Sequence, residues 1–314
     1  YSGADCEEEF SYQGGRGYQA GARVSYDNVN YVAIYWAADD VIPTENDAFE
    51  VESDCGYRPV YSTIMVSSLS ESSSESTNPD QVAGWFNKSD YELIFPHRNS
   101  FYTWESFRSA FKNLQNMAGL GDFRNFLQEG TQIQKEREIA AFFANVIQET
   151  GGGRYDNGLI HIEENCANSG HPEGRCLGYK SSPPHYYFGR GPMQLSWSYN
   201  YESFSLAVYG DPKELLHEPD RVAQDPSLAW LSAMWFWNRV DDSYVTPPPT
   251  IHDVVVNNAN WLGNTGFGAT IKIINGGLEC PSVNVPNAMR RVHFYSAVQS
   301  ILGVAEDLSH LHCT

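Results

Sequence analysis

Nowhere does the chain string together the roughly 18 apolar residues that a membrane span requires, although 41% of its residues are hydrophobic, enough to build a core. A secretory leader pattern is also missing from the start, which is Tyr1 rather than Met, so the chain reads as processed or trimmed. Basic residues are scarce: 20 Lys and Arg stand against 39 Asp and Glu, a net charge of -19 at pH 7. A chain this acidic repels polyanions, and no Lys/Arg cluster offers a local exception, which argues against nucleic acid as a partner. The acidity suits solubility alone, a salty medium or a neutral substrate. No CxxC pair occurs among the six cysteines, which removes the usual zinc spacing. His161, His171, His252 and His293 lack ligand-like spacing too, so no metal and no cofactor is expected.

What is present divides the 314 residues into unequal parts. Residues 1–57 are dense in Tyr and Gly and bracketed by Cys6 and Cys55. Ala22–Tyr26 alternates, Asp27–Asn30 reads as a turn, and Tyr31–Trp36 is rich in β-formers, which predicts a small all-β module. About 50 residues make a thin core, and a disulfide would help it stand alone. Residues 58–82 read as a linker, because the Ser/Glu run Ser67–Thr77 cannot bury enough apolar surface to offset its ordering entropy. From residue 83 to 314 the pattern turns helical. Trp104–Met117 and Lys135–Gln148 have helical spacing, the latter with Ile139, Phe142, Phe143, Val146 and Ile147 on one stripe. Leu228–Asn238 and Ala288–Leu302 are further helices, so this domain is mainly α. An even cysteine count points to disulfides and an oxidising, extracellular compartment. Sequence order suggests Cys6–Cys55, Cys166–Cys176 and Cys280–Cys313 among many allowed pairings.

Three places carry candidate chemistry. Glu149 stands at the end of an apolar helix, just before Gly151–Gly153. The negative helix terminus and partial burial both disfavour its charge and favour a protonated carboxyl, as a general acid needs. An exposed glutamate at a frayed helix end is the alternative. Leu159–Glu164 looks like a short strand whose alternation puts Ile160, Ile162 and Glu164 on one face and Leu159, His161 and Glu163 on the other. With the isoleucines inward, Glu163 faces a cleft. Two carboxyls flanking a glycosidic bond are the minimum equipment for glycoside hydrolysis. The string Tyr186–Ser196 has glycines around Arg190 and Pro192, and then a Gln194/Ser196 pair opening a helix. It offers aromatic faces and polar groups to a sugar, or else a tight structural turn with core aromatics.

Glu138–Gly152 (EIAAFFANVIQETGG), Tyr186–Tyr201 (YYFGRGPMQLSWSYNY) and Ile273–Cys280 (IINGGLEC) resemble the signature stretches of glycoside hydrolase family 19 chitinases. Phe95–Thr103 (FPHRNSFYT) resembles that family's opening segment, and Met234–Trp237 with His252-Asp253-Val254 its middle. The matches run in family order over about residues 90–300. The resemblance implies a lysozyme-like, mostly helical, bilobal fold with a deep cleft. It also implies an endo-acting, inverting, single-displacement attack on β-1,4-linked N-acetylglucosamine polymers. Glu149 takes the general-acid position and Glu163 the base, with Glu164 the fallback. Ser196 matches the position that helps hold the attacking water. Tyr187, Gln194, Tyr199, Asn200 and Asn275 match sugar-contacting positions, and Glu279 and Arg291 match a charged pair that tunes the acid. Arg291 is also expected near substrate. The pairings Cys280–Cys313 and Cys166–Cys176 are spaced like two plant-type disulfides.

Three departures stand out. Gln148 replaces the usual His before the acid, Leu231 stands where plant members carry a Lys, and the loop Cys166–His185 lacks a Trp. The amino-terminal module resembles chitin-binding modules of carbohydrate-binding families 5 and 12 through Tyr18, Gly21, Val24, Tyr26, Tyr31, Ala33, Tyr35, Trp36 and Pro43. Tyr35 and Trp36 then form the stacking pair for chitin, unless one ring fills the small core. The expected partner is chitin or a chitooligosaccharide, bound by a secreted monomer with no membrane contact. Two other functions remain in view, a peptidoglycan-cleaving hydrolase of the same fold and a non-catalytic chitin-binding lectin. The first suits an acidic chain poorly, since bacterial walls are anionic.

Overall fold

The computed structural model describes the backbone of three strands near the amino terminus. Beyond them it describes residues 81–117, 123–151, 157–164, 187–241, 247–281, 285–305, 307 and 309–314. Tyr35 and Trp36, the Ser-rich run, the Cys166–His185 loop, and Cys6, Cys55, Cys166 and Cys176 lie outside the described residues. The chain divides into two compact units, one of residues 1–63 with 181–183 and one of 64–180 with 184–314.

In the first unit, β1 (Arg23–Tyr26), β2 (Val29–Ala33) and β3 (Phe49–Asp54) form an antiparallel sheet in the order β1-β2-β3. Tyr26 pairs with Val29, and the β2–β3 register shifts between Asn30 and Tyr31. β2 thus begins earlier than the aromatic run alone predicts, because Val29 and Asn30 pair across the hairpin.

The second unit is mainly helical. It opens with β4 (Gln81–Val82) paired to β5 (Phe86–Asn87), so the end of the expected linker is structured: Val82 is buried in the core. The helices are α1 (Lys88–Ile94), α2 (Trp104–Leu114), α3 (Gln132–Thr150), α4 (Ser198–Tyr209), α5 (Lys213–His217), α6 (Arg221–Gln224), α7 (Pro226–Asn238), α8 (Ile251–Val256), α9 (Gly266–Glu279) and α10 (Pro286–Leu302). Starts and stops follow local chemistry. Thr131 and Gln134 make a capping box at the head of α3. Asp225 caps α7 through the Ser227 and Leu228 N–H groups, with Pro226 in the first turn. Gly151 ends α3.

α3 is the central helix. From Glu138 to Ile147 every side chain is buried, so its apolar stripe has become a full circumference. Around it packs an aromatic core. Phe95 meets Phe143 edge-on at 4.9 Å, Phe107 meets Trp230 at 5.0 Å, and Phe142 meets Trp237 at 5.3 Å. Such pairs add about 0.5–1.5 kcal/mol each beyond area burial. α10 lies along α3, and α2 along α7. α9 bends at Asn275, whose backbone is non-helical, immediately before Gly276-Gly277. Cys280, after its last turn, is bonded to Cys313, which clamps the carboxy-terminal tail to α9.

Several polar groups are buried with this core, Glu138 among them. The Glu138 carboxylate, fully buried, accepts from the Trp237 indole N–H at 3.1 Å and the Leu127 backbone N–H at 2.8 Å, and meets His252 Nδ1 at 2.6 Å. His252 Nε2 faces Glu129 at 3.4 Å. Burial alone would lower the His252 pKa, but the hydrogen bond and charge of Glu138, with Glu129 and Asp253 behind, overcome it and raise it to about 9. An imidazole whose pKa rises on folding contributes stability that is whole below the unfolded value, about 6.5. That contribution fades as pH climbs through about 9. Thermal unfolding midpoints should therefore fall between pH 6.5 and 9 in wild type. His252→Gln should start lower and show little of that decline.

Candidate active site

The packing of α3, α9 and α10 converges on one guanidinium. Arg291, on α10, is 1% exposed. Its Nη2 donates to Glu149 Oε1 at 2.5 Å and to Glu279 Oε1 at 2.9 Å. Its Nε donates to Glu279 Oε2 at 2.8 Å, and Nη1 to Asn145 Oδ1 at 3.0 Å. Asn145 and Glu149 are four residues apart on α3, hence on one face. Asn145 is fixed in turn by Thr270 of α9 at 3.2 Å. Burial opposes the charge of Arg291, but the two carboxylates outweigh it and push its pKa up. Burial also opposes ionisation of Glu279, yet the Arg291 hydrogen bonds and charge and the Asn275 amide hold its carboxyl below the usual range.

Glu149 is the more open of the two carboxylates, its side chain 22% exposed against 2% for Glu279. It is therefore not a frayed surface residue. Gln148, beside it, has its amide oxygen 3.4 Å from Arg290 Nε. Asn275, expected against sugar, donates its amide to Glu279 Oε1 at 2.9 Å.

The segment that carries Glu163 is pinned to the end of α3. The Leu159 N–H donates to Thr150 Oγ1 at 2.7 Å and the His161 N–H to the Thr150 carbonyl at 3.2 Å. The approach is close at Gly158, where a Cβ would come within 2.8 Å of both Ile147 and Phe95. No continuous strand forms at 159–164. Leu159 is left-handed (φ 64°) and is the residue that enters the core, while Ile160 and Ile162 are half-buried. Only Glu163 bridges, antiparallel to Arg190, and its side chain is 50% exposed. Glu163 faces outward for a different reason from simple alternation: the turn at Leu159 breaks the run.

Arg190 also bridges Leu195, so Gly191–Gln194 is a tight loop between bridged residues rather than the start of a helix. Gly191 has φ 76°, which an L side chain rarely adopts. Gln194 (φ 49°) and Trp197 (φ 74°) are left-handed without being glycine, strain that concentrates where a chain is held for function. α4 begins only at Ser198.

The Ser196 hydroxyl donates to the Gln194 carbonyl at 2.8 Å, leaving its lone pairs to accept. The Asn200 amide bonds the Ser196 carbonyl at 2.8 Å. Gln194 itself bonds the Gly191 carbonyl. Tyr187 is buried with its hydroxyl on the Leu216 carbonyl at 2.8 Å, and so packs in the wall. Tyr199 is 53% exposed and lies parallel to Trp197, 45% exposed, with centroids 6.5 Å apart and planes 12° apart.

Sequence reading passed over Trp197, Asn145 and Arg190. An exposed Trp beside a Tyr two residues on is a usable signal for the first. Asn145 and Arg190 gave none, because their roles depend on partners far along the chain.

The class I chitinase family pattern matches residues 88–313, from the first turn of α1 to the second cysteine of the disulfide. An acidic endochitinase of Dioscorea japonica is 37% identical over 209 residues, 66% of this chain and 70% of its own. Endochitinase 3 of Nicotiana tabacum is 32% identical over 71% and 68%. Among solved structures, chitinase C from Streptomyces griseus HUT6037 is 31% identical with a TM-score of 0.54 over 96% of this chain and 99% of that one. A bacterial family 19 chitinase is 33% identical with a TM-score of 0.55 over 72% and 98%. A match running through every helix that builds the Arg291 cluster, with these identities over most of each chain, makes the chain a member of glycoside hydrolase family 19, the class I chitinases.

Proposed function

We propose that the chain is an endo-acting chitinase that cleaves β-1,4-linked N-acetylglucosamine polymers with inversion, Glu149 as general acid and Glu163 as general base. The observation that carries this reading is the shared guanidinium of Arg291. Its single positive charge is already matched by Glu279, which it grips at two points while Asn275 occupies a further lone pair. Glu149, held by the same cation, is the carboxyl of the pair that is open to substrate, where a proton donor must stand. Glu163 is supported as its counterpart by its exposure and by the anchoring of its segment to Thr150. An inverting pair needs roughly 6.5–9.5 Å between its carboxyls to admit water.

In the reaction Glu149 gives its proton to the departing O4 as the C1–O4 bond breaks. Glu163 takes a proton from the water whose oxygen bonds to C1 on the opposite face. The Ser196 hydroxyl accepts a hydrogen bond from that water. Solvent exchange then restores the proton on Glu149 and removes the one on Glu163. Trp197 and Tyr199 offer near-parallel apolar faces on which sugar rings stack. Residues 1–57 tether the enzyme to solid chitin through Tyr35 and Trp36. The Cys280–Cys313 bond suits work outside the cell.

A time-resolved anomer assay on chitohexaose should show the α-anomer at the newly formed reducing end; the β-anomer as first product would reverse the mechanism. Glu149→Gln and Glu163→Gln should each lower kcat by about 10²-fold or more while binding of oligomer persists. Near wild-type turnover in either variant removes that residue from its role. Deleting residues 1–80 should reduce hydrolysis of crystalline chitin well beyond that of soluble oligomers, and equal losses on both would assign the segment to folding.

A further inference from the structure

The acid has a guanidinium of its own, and a second buried arginine stands beside the base. Arg190 is 1% exposed, in the wall formed by Phe188, Tyr201 and the Asp220 turn. Burying an isolated guanidinium is costly, so its partners reveal what it is for. Nη2 meets Asp220 Oδ1 at 2.5 Å, and Nη1 donates to the Tyr201 hydroxyl at 2.9 Å. The guanidinium carbon lies 3.8 Å from the centre of the Phe188 ring. These contacts hold the planar fork on one face and at one end. The remaining edge, Nε, is directed at Glu163, 3.8 Å from Oε2.

The backbone repeats the arrangement. Arg190 bridges Glu163 on one side and Leu195 on the other. The Glu164 N–H donates to the Gly189 carbonyl at 2.8 Å, and the Gly191 N–H to the Ile162 carbonyl at 2.8 Å. Leu195 leads directly to Ser196. Arg190 is thus the middle rung between the carboxylate that activates water and the hydroxyl that holds it.

We propose that Arg190 is a positioning residue for the general base, fixing the Glu163 carboxylate by charge and linking it mechanically to Ser196. The inference rests on Glu163 being the base. The separation matters: 3.8 Å is an ion-pair distance and too long for a hydrogen bond. The cation therefore steers the carboxylate by charge without occupying a lone pair, which stays available for the proton of water. Asp220, 66% exposed, opposes this by drawing off part of the guanidinium charge, so it sets how strongly Arg190 acts on Glu163.

The test is the pH dependence of kcat/KM on soluble chitohexaose, whose acidic limb reports the group that must be ionised. Arg190→Met and Arg190→Lys should lower kcat by about 10²-fold, with KM changed much less, because the base is misplaced rather than substrate lost. The acidic limb should move to higher pH in Arg190→Met and less far in Arg190→Lys, which keeps the charge. Asp220→Asn, an exposed and nearly isosteric change, should move the limb the opposite way, to lower pH. A purely structural Arg190 would instead give losses that track the melting temperature and limbs that stay in place; that result overturns the proposal. Should the Arg190 variants fail to fold, an unmoved limb in Asp220→Asn overturns it alone. Glu163→Gln keeps the two ideas apart: if it retains turnover, the base assignment fails, whereas an inactive Glu163→Gln with unmoved limbs elsewhere removes only Arg190.

Discussion

The bidentate grip of Arg291 on Glu279 is the contact on which the architecture of the site depends. A buried guanidinium is tolerable only when its donors are satisfied. Here the satisfaction comes from three helices at once: Asn145 and Glu149 on α3, Glu279 at the end of α9, and Arg291 itself on α10. Removing Glu279 leaves the buried guanidinium unmatched, and removing Asn145 or Glu149 leaves a donor unsatisfied, so the same requirement that holds the helices together also fixes where the Glu149 carboxyl stands. The bend of α9 at Asn275 belongs to this arrangement, since it is the Asn275 amide that completes Glu279. The disulfide one residue beyond secures the end of that helix to the tail.

The two catalytic candidates occupy contrasting environments built from the same residue types. Glu149 shares its arginine with a carboxylate that is nearly inaccessible. Glu163 faces an arginine that is itself held by an exposed aspartate, a tyrosine and an aromatic ring, and does so at a distance that leaves its oxygens open. In one case the cation is gripped by a second, buried carboxylate. In the other it is held by groups that leave its Nε edge turned to the carboxylate. Divergent settings for paired carboxyls are the general means by which one site supplies both acid and base.

Left-handed backbone at Leu159, Gln194 and Trp197 marks the segments that carry these groups. Each lies within four residues of a proposed catalytic or sugar-facing side chain. None is glycine, so the conformations persist only because the surroundings impose them. Thr150, the Glu163–Arg190 bridge and the Arg190–Leu195 bridge supply that constraint. The aromatic core beneath α3 gives the whole a rigid floor.

Periodicity and end signals alone determined the main helices to within a few residues. Lys135–Gln148 was legible because the apolar stripe and the following glycines are local features read along a few turns, and the helix begins three residues earlier, after the Thr131 cap. Family resemblance identified Glu149, Glu163, Ser196, Glu279 and Arg291 as residues worth finding together, since its motifs are contiguous in the chain. Alternation misread Leu159–Glu164 as a strand, and Pro192 as a helix start, because a left-handed residue and a bridge to Arg190 override local preference. The resemblance implied that Arg291 acts on Glu149, but the partnerships of Arg291 with Asn145, of Arg190 with Glu163, and of His252 with Glu138 belong to the tertiary structure alone. A charge 27 to 146 residues distant in sequence leaves no trace in local pattern, and only packing decides which buried ion meets which.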